Sequence, residues 1–140
     1  MKAERVVVDT NVLISALLMP TGKPAELIRC LEKSGASLLF SRLTFLELAS
    51  RLGGPKFDRY RTRQQMDRYL EWLADLAEWV KPSIRIEACR DPDDNRFLEV
   101  LVAGEGDVLI TGDADLLVLN PFEGRPIVSP GEFLEGVNQF

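Results

Sequence analysis

The sequence contains no histidine, and this absence excludes histidine bases, histidine-containing triads and histidine metal ligands from the chain. Its two cysteines, Cys30 and Cys89, form no CxxC pair, which is typical of reduced, half-buried core residues in a cytosolic protein. No apolar run approaches the roughly 20 residues of a membrane helix. The opening residues lead into only a short apolar run, without a secretory signal pattern. We therefore expect a cytoplasmic protein with no membrane segment.

Acidic residues outnumber basic residues, 22 to 17, which gives the 140-residue chain a formal net charge of -5. This balance argues against a protein that holds nucleic acid mainly through bulk positive charge. It leaves open an enzyme whose bound metal ions offset an acidic site. The length and the 46% hydrophobic content predict a single globular domain over residues 1–140, large enough to bury a core.

Short apolar runs alternate along the chain with amphipathic stretches, which is typical of a mostly parallel sheet covered by helices. Predicted strands lie at residues 6–8, 37–40, around 84–86, at 108–111 and, more weakly, at 126–128. Predicted helices run through 13–18, from 24 to 33, from a cap at Ser41 to Gly53, from a cap at Thr62 to about Glu78, from Asp93 or Asp94 to Gly104, and from a cap at Ser129. We expect an α/β fold.

Acidic residues recur where predicted strands end and predicted helices begin. They are Asp9, the group Asp91, Asp93 and Asp94, and the pair Asp113 and Asp115. Each alone has an ordinary explanation as a helix cap or a turn residue. However, the carboxyl ends of parallel strands face one ligand crevice, so the recurrence favours a shared site. Converging carboxylates need a counterion such as Mg²⁺, which makes metal-assisted phosphodiester chemistry the leading hypothesis.

A further acid, Glu47, lies within an apolar helical stretch. Leu43, Leu46 and Ser50 mark the predicted face of this helix, and Glu47 is one turn from Leu43 and from Ser50. We therefore expect its carboxylate to point inward or to the boundary, where it needs a partner. The alternative is a solvated side chain at the edge of the face.

Four motifs in order resemble those of PIN-domain ribonucleases. The segments are VVDTNVL from Val7, FLEL from Phe45, DPDDNRFLE from Asp91 and TGDADLL from Thr111. They are most similar to the toxin branch of toxin-antitoxin pairs, the VapC-type toxins. The resemblance spans nearly the whole chain. It implies a three-layer α/β/α sandwich with a central parallel sheet and Mg²⁺- or Mn²⁺-dependent endoribonuclease activity.

The resemblance also implies roles for particular residues. It places catalytic, metal-binding acids at Asp9, Glu47, Asp94 and Asp113, with Asp115 as an alternate or supporting acid. We expect Asp9, Asp94 and Asp113 to be metal ligands, and Glu47 to be a ligand or to position the water. Thr10, Asn11 and Thr111 match positions that orient ligands or water. Contributions from Asp91 and Asp93 stay open. Members of the family are commonly dimers and, as toxins, are held inactive by an antitoxin, so we expect an RNA substrate, a cognate antitoxin and a homodimer or higher oligomer.

Residues 56–69 carry a net charge of +3, from five basic and two acidic side chains. Lys56, Arg59, Arg61 and Arg63 could hold an RNA backbone, with Tyr60 and Tyr69 stacking on bases. The alternative is an ordinary solvated loop and helix face. Farther along, Trp72 and Trp79 are candidates for the core or for an oligomer surface.

Two other functional classes fit less well. A phosphoacceptor receiver domain would need paired acids at the first strand end and a late lysine, but no lysine follows Lys81. An aspartate-nucleophile phosphatase would need a second aspartate where Asn11 stands. A catalytically silent RNA- or protein-binding module on the same fold is the remaining alternative, and metal-dependent turnover would distinguish it.

Overall fold

A computed structural model describes the backbone of residues 3–138 and the side chains of residues 3–136. This part of the chain forms a five-stranded, fully parallel sheet and seven α-helices. The strands are β1 (Arg5–Val8), β2 (Ser37–Phe40), β3 (Ala77–Trp79), β4 (Val108–Ile110) and β5 (Ile127–Val128). The helices are α1 (Thr10–Leu18), α2 (Lys23–Ser34), α3 (Arg42–Gly53), α4 (Arg63–Leu76), α5 (Asn95–Ala103), α6 (Ala114–Leu117) and α7 (Pro130–Asn138). The ends of the predicted 1–140 unit lie outside the described residues.

The strands are apolar along their whole length because each of their faces is covered. In β1, Val6 and Val8 belong to one hydrophobic core, whereas Val7 belongs to the core on the opposite face. The same alternation places Leu109 of β4 opposite its neighbours Val108 and Ile110. Helices α1 to α4 and α7 pack on the first face, and α5 and α6 on the second. The predicted three-layer α/β/α sandwich is therefore confirmed.

The strand order is β3-β2-β1-β4-β5, so the chain builds the sheet outward from β1 in one direction and then in the other. The boundary between β1 and β4 is the point where the order reverses. In open α/β sheets a crevice forms there, outside the carboxyl ends of the strands. Asp9 directly follows β1, and Thr111 directly follows β4. Both residues thus lie at the mouth of this crevice.

Local capping signals fix several helix ends as predicted. Thr62 and Gln65 form a reciprocal capping box at the start of α4, and Ser129 and Glu132 bond reciprocally at the start of α7. Gly35, just after α2, has a φ of 76°, a left-handed conformation that glycine adopts without steric cost.

The predicted third strand around Ile84 and Ile86 is wrong. The third strand is β3, at residues 77–79, and α4 ends at Leu76 rather than near Glu78. β3 pairs in parallel with β2, with Leu38 opposite Ala77. Its position depends on that distant partner. Ile84 is 46% exposed and lies outside the strands.

The predicted inner face of α3 is also wrong. Leu43 and Leu46 are 53% and 49% exposed, and Ser50 is exposed as well. The buried positions are Thr44, Leu48 and Leu52, spaced four residues apart. The helix therefore has one apolar face exposed to solvent and another buried, and the sequence periodicity alone did not distinguish the two.

None of the helices in the described part of the chain combines the length and apolarity that spanning a membrane would require.

Candidate metal centre

Asp9 anchors the site at the end of β1. Its side chain is 4% exposed, and its Oδ1 accepts a hydrogen bond from the Asn11 backbone N–H at 3.2 Å, capping α1. Its Oδ2 accepts a hydrogen bond from the Thr111 hydroxyl at 2.7 Å. This second bond crosses the boundary between β1 and β4, so the carboxylate is held from both strands. Burial raises the pKa of Asp9, and the charge of Asp113 raises it further against the opposing hydrogen bonds.

Thr111 links Asp9 to the acids that follow β4. Its hydroxyl oxygen accepts a hydrogen bond from the Asp113 backbone N–H at 3.0 Å while donating to Asp9. Asp113 Oδ1 in turn accepts a hydrogen bond from the Asp115 backbone N–H at 2.9 Å and caps α6. The capping explanation therefore holds for this one oxygen of Asp113. Asp115 lies in the first turn of α6 and is half-buried.

Asp94 comes from the other side of the crevice, at the start of α5. Its side chain makes no capping hydrogen bond to that helix and instead meets the side chain of Asp113 in a hydrogen bond. Burial, this hydrogen bond and the charges of Asp113, Asp91 and Asp9 raise the pKa of Asp94 to about 7. Burial is the largest cause of this rise, and the neighbouring carboxylates add to it.

Glu47 reaches the same area from α3. The Thr10 hydroxyl donates a long hydrogen bond to Glu47 Oε2 at 3.4 Å. Glu47 is half-buried, as the boundary placement predicts. Burial raises its pKa and the charge of Asp9 adds to the rise, while Arg51 and Arg96 act in the opposite direction.

Arg51, one turn after Glu47 on α3, also belongs to the site, although none of the sequence motifs indicated it. Its Nη1 donates a hydrogen bond to Asn11 Oδ1 at 2.6 Å, and its charge lowers the pKa of both Asp9 and Glu47. The spacing of four residues between Glu47 and Arg51 was a visible signal, because such residues lie on the same face of a helix. Asn11, named as a ligand-orienting residue, is thus held by a cation in the described structure.

The remaining acids of the Asp91 group have local partners. Asp91 Oδ1 accepts the Asp93 backbone N–H at 3.0 Å and caps the 3-10 turn Pro92–Asp94. Asp93 forms an ion pair with Arg96 at 3.7 Å, and both Asp91 and Asp93 are exposed. Of this group, Asp94 is the acid that makes side-chain contact with the other strand-end acids.

Both cysteines are free and half-buried, as predicted. Burial and the nearby acids, Asp94 first among them, raise the pKa of the Cys89 thiol to about 11. The thiol therefore stays protonated at neutral pH, and a thiolate nucleophile is not part of the site.

The four basic residues proposed for RNA contact come from the loop between α3 and α4 and from the first residue of α4. Lys56 and Arg59 line a separate cavity. Arg61 donates to the Tyr60 carbonyl at 2.8 Å, and Arg63 donates to the Gly53 carbonyl at 3.0 Å, in the last turn of α3. The structure thus divides these four residues into two groups.

Tyr69 does not offer a free ring to a base, contrary to the prediction. Its hydroxyl donates a hydrogen bond to the Leu13 carbonyl at 2.7 Å, and its ring packs against the core.

The donor set of this site consists of carboxylate and hydroxyl oxygens, the ligands that hard divalent cations such as Mg²⁺ and Mn²⁺ prefer. Among residues 3–136, no group of three or more acids or cysteines is already arranged around a point that could hold an ion. The chemistry of the donors and the raised pKa of Asp94 nevertheless fit a cation, because a cation would offset the charge that the acids share.

Comparison with known proteins gives consistent results. A structure of VapBC2 from Rickettsia felis bound to a DNA fragment from their promoter aligns with a TM-score of 0.60 and 12% identity, covering 89% of this chain and 98% of that chain. PAE2754 from Pyrobaculum aerophilum aligns with a TM-score of 0.57 and 17% identity, covering 97% and 90%. At these identities the likeness establishes the fold.

Sequence comparison adds the family. The uncharacterized protein MJ1680 of Methanocaldococcus jannaschii is 28% identical over 146 residues, covering 97% of this chain and 93% of that protein. Residues 5–115 match the family model described as PIN domain, a range that includes Asp9, Glu47, Asp94, Asp113 and Asp115. The chain therefore belongs to the PIN domain family.

Proposed function

We propose that the protein is a metal-dependent endoribonuclease that hydrolyses RNA phosphodiester bonds. PIN domains are generally nucleases, which supports the reaction class. The observation that carries the proposal is the meeting of Asp94 and Asp113 beside Asp9, where the β1–β4 crevice opens. Carboxyl groups that three parts of the chain bring together are suited to divalent metal binding.

In this proposal, Asp9, Asp94 and Asp113 would hold Mg²⁺ or Mn²⁺, and Asp115 would be an alternate ligand. A bound divalent cation would supply a water of lowered pKa and would stabilise charge on the phosphodiester. The chain's own residues hold Asp9 in place, since the Thr111 hydroxyl donates to one oxygen of its carboxylate and the Asn11 backbone N–H donates to the other.

Glu47 would act as a general base or position the attacking water. Burial raises its pKa toward neutrality, which brings a carboxylate closer to the range where proton transfer at neutral pH is efficient. Thr10 would orient this carboxylate, and Asn11, held by Arg51, would orient substrate or water.

We further propose that the protein is the toxin of a toxin-antitoxin pair. One structure of similar fold is that of VapBC2 from Rickettsia felis, and the sequence motifs resemble those of the toxin branch of PIN-domain ribonucleases. A cognate antitoxin would then be a partner, and the exposed side chains Leu43, Leu46 and Trp79 are available for a protein contact such as a homodimer. A catalytically silent RNA- or protein-binding module is the second candidate.

Cleavage of mixed cellular RNA tests the proposal. The reactions contain Mg²⁺, Mn²⁺ or EDTA, and compare the wild type with Asp9→Asn, Asp94→Asn and the control Asp75→Asn. Asp75 is an exposed acid near the end of α4, and β3 begins directly after this helix. We expect metal-dependent cleavage by the wild type and the control, with loss in both site variants. Full activity of Asp9→Asn would contradict the metal assignment. Metal-independent binding without cleavage would favour the silent module.

A further inference from the structure

A second cavity lies beside the acidic crevice, and its chemistry differs from that of the crevice. It has a volume of about 320 Å³ and is lined by residues from the end of α1 and from the loop between α3 and α4, namely Ser15, Leu18, Met19, Lys56, Phe57, Arg59 and Tyr60. Its lining combines apolar and aromatic side chains with two cations. Met19 is 60% exposed and Tyr60 is 48% exposed, so both remain accessible to a ligand.

Arg59 and Tyr60 form a single platform in this cavity. The Arg59 guanidinium lies 5.0 Å from the centre of the Tyr60 ring, and its Nη2 donates a hydrogen bond to the Tyr60 hydroxyl at 3.0 Å. Guanidinium planes and tyrosine rings are the surfaces on which unpaired RNA bases stack. Lys56, whose Nζ lies 5.5 Å from the Phe57 ring, adds a second positive charge that suits a phosphate.

Two neighbouring cations, Arg61 and Arg63, already have partners of their own. Arg63 donates to carbonyls in the last turn of α3, and Arg61 donates to the Tyr60 carbonyl. Their contacts stabilise the loop that carries Tyr60. Among the residues that line the cavity, Lys56 and Arg59 are the cations available to a ligand.

The cavity and the acidic crevice lie next to each other along α1. Ser15 lines both this cavity and a neighbouring one of about 330 Å³ that Asn11, Gly112 and Asp113 also line. Asn11 and Ser15 are one turn apart on the same side of α1, and Met19 directly follows the end of this helix. The eight steps from Asn11 to Met19 correspond to a rise of about 12 Å along the helix axis. A short stretch of an extended RNA strand can span this length.

We propose that the cavity at Tyr60 binds a nucleotide of single-stranded RNA near the scissile phosphate. The base stacks on the Arg59–Tyr60 platform, and Lys56 contacts a phosphate. The RNA strand then runs along α1 to the acids. Charge complementarity favours this occupant, because the cations of the cavity suit a polyanion within a chain of net charge -5. The inference rests on the proposed RNA-cleaving function.

Binding of a labelled, short, unstructured RNA tests the inference. It is measured with Mg²⁺ in an Asp9→Asn background, so that the RNA remains intact. Tyr60→Leu keeps apolar bulk but removes the ring, and it should weaken binding by about 5-fold or more, the lower limit for stacking of one base. Tyr60→Phe keeps the ring and should bind nearly as tightly as the parent. Arg59→Gln should weaken binding, whereas Lys33→Gln, on the exposed end of α2, should have no effect.

Wild-type cleavage of the same RNA, measured in parallel, separates the two proposals. RNA binding that depends on the Tyr60 ring without any cleavage would support the subsite and contradict the nuclease. Cleavage with unchanged RNA affinity in Tyr60→Leu and Arg59→Gln would overturn the subsite and leave the nuclease standing. An absence of RNA binding by the parent protein would also overturn the subsite. Retained RNA affinity in Tyr60→Leu alone would overturn the stacking of a base on Tyr60.

Discussion

Replacement of Asp94 by asparagine should stabilise the protein when no divalent cation is present. The pKa of Asp94 rises from its ordinary value of 3.8 to about 7 because of burial, the hydrogen bond to Asp113 and the charge of neighbouring acids. When folding raises the pKa of a carboxyl, its contribution to stability is fully present only at a pH below the pKa that the group has in the unfolded chain. That contribution is lost as the pH rises toward the folded pKa. Above about pH 7, the ionised Asp94 therefore destabilises the fold.

The size of the effect follows from the pKa rise. A rise from 3.8 to about 7 corresponds to at most about 4 kcal/mol. Because Asp94 is only half-buried, solvent screening reduces this to about 1–2 kcal/mol. Asp94 makes no capping bond to α5, so the variant loses no cap, and an asparagine amide can donate a hydrogen bond to Asp113. For a chain of this length, the gain in Tm should be about 3–6 °C.

Thermal unfolding at pH 8 and pH 5 measures this effect. In EDTA at pH 8, Asp94→Asn should melt above the wild type, and the difference should shrink at pH 5, where the wild-type carboxyl is largely protonated. Mg²⁺ should raise the Tm of the wild type more than that of the variant, because a ligand stabilises the state that binds it. An Asp94→Asn protein that melts below the wild type in EDTA at pH 8 would refute the reasoning.

Three further variants test the contacts around the site and the division of the basic residues into two groups. Thr111→Val removes the hydrogen bonds that join Asp9 to the Asp113 backbone. It should lower the free energy of unfolding by about 1–3 kcal/mol and reduce RNA cleavage. Unchanged cleavage in a folded variant would contradict the positioning role of Thr111. Lys56→Gln should reduce by about 1 the slope of log affinity for RNA against log salt concentration. Arg63→Gln should instead lower the Tm and leave that slope unchanged. An equal change of slope in both variants would contradict the division of the basic residues into RNA-binding and structural groups.

The central strands and most helices could be predicted because their signals are local. The apolar run of β1 followed by Asp9, and the capping box at Thr62, can be read from neighbouring residues. The position of β3 could not be predicted in this way, because it depends on pairing with β2 across about 40 residues of chain. The exposure of Leu43 depends on how α3 rotates against the sheet, which the 3.6-residue period does not specify.

The same distinction between local signals and tertiary contacts applies to the candidate site. The acids themselves were predictable because they mark strand ends and helix starts. The contact between Asp94 and Asp113 and that between Arg51 and Asn11 join different elements and depend on tertiary packing. Asp91 and Asp93 take no part in the Asp94–Asp113 contact, because the turn before α5 gives each of them a local partner. The sequence does not specify the geometry of this turn. The single-domain extent, the metal ligands and the antitoxin stay predictions.

The most direct test of the shared metal site is Mn²⁺ binding, followed by the loss of the free-ion electron paramagnetic resonance signal on titration. The wild type is compared with Asp9→Asn, Asp113→Asn and the exposed control Asp75→Asn, with the fold of each variant checked by circular dichroism. We predict saturable Mn²⁺ binding by the wild type and the control, and weakened binding by each of the two site variants. Equal Mn²⁺ affinity in all four proteins would contradict the account.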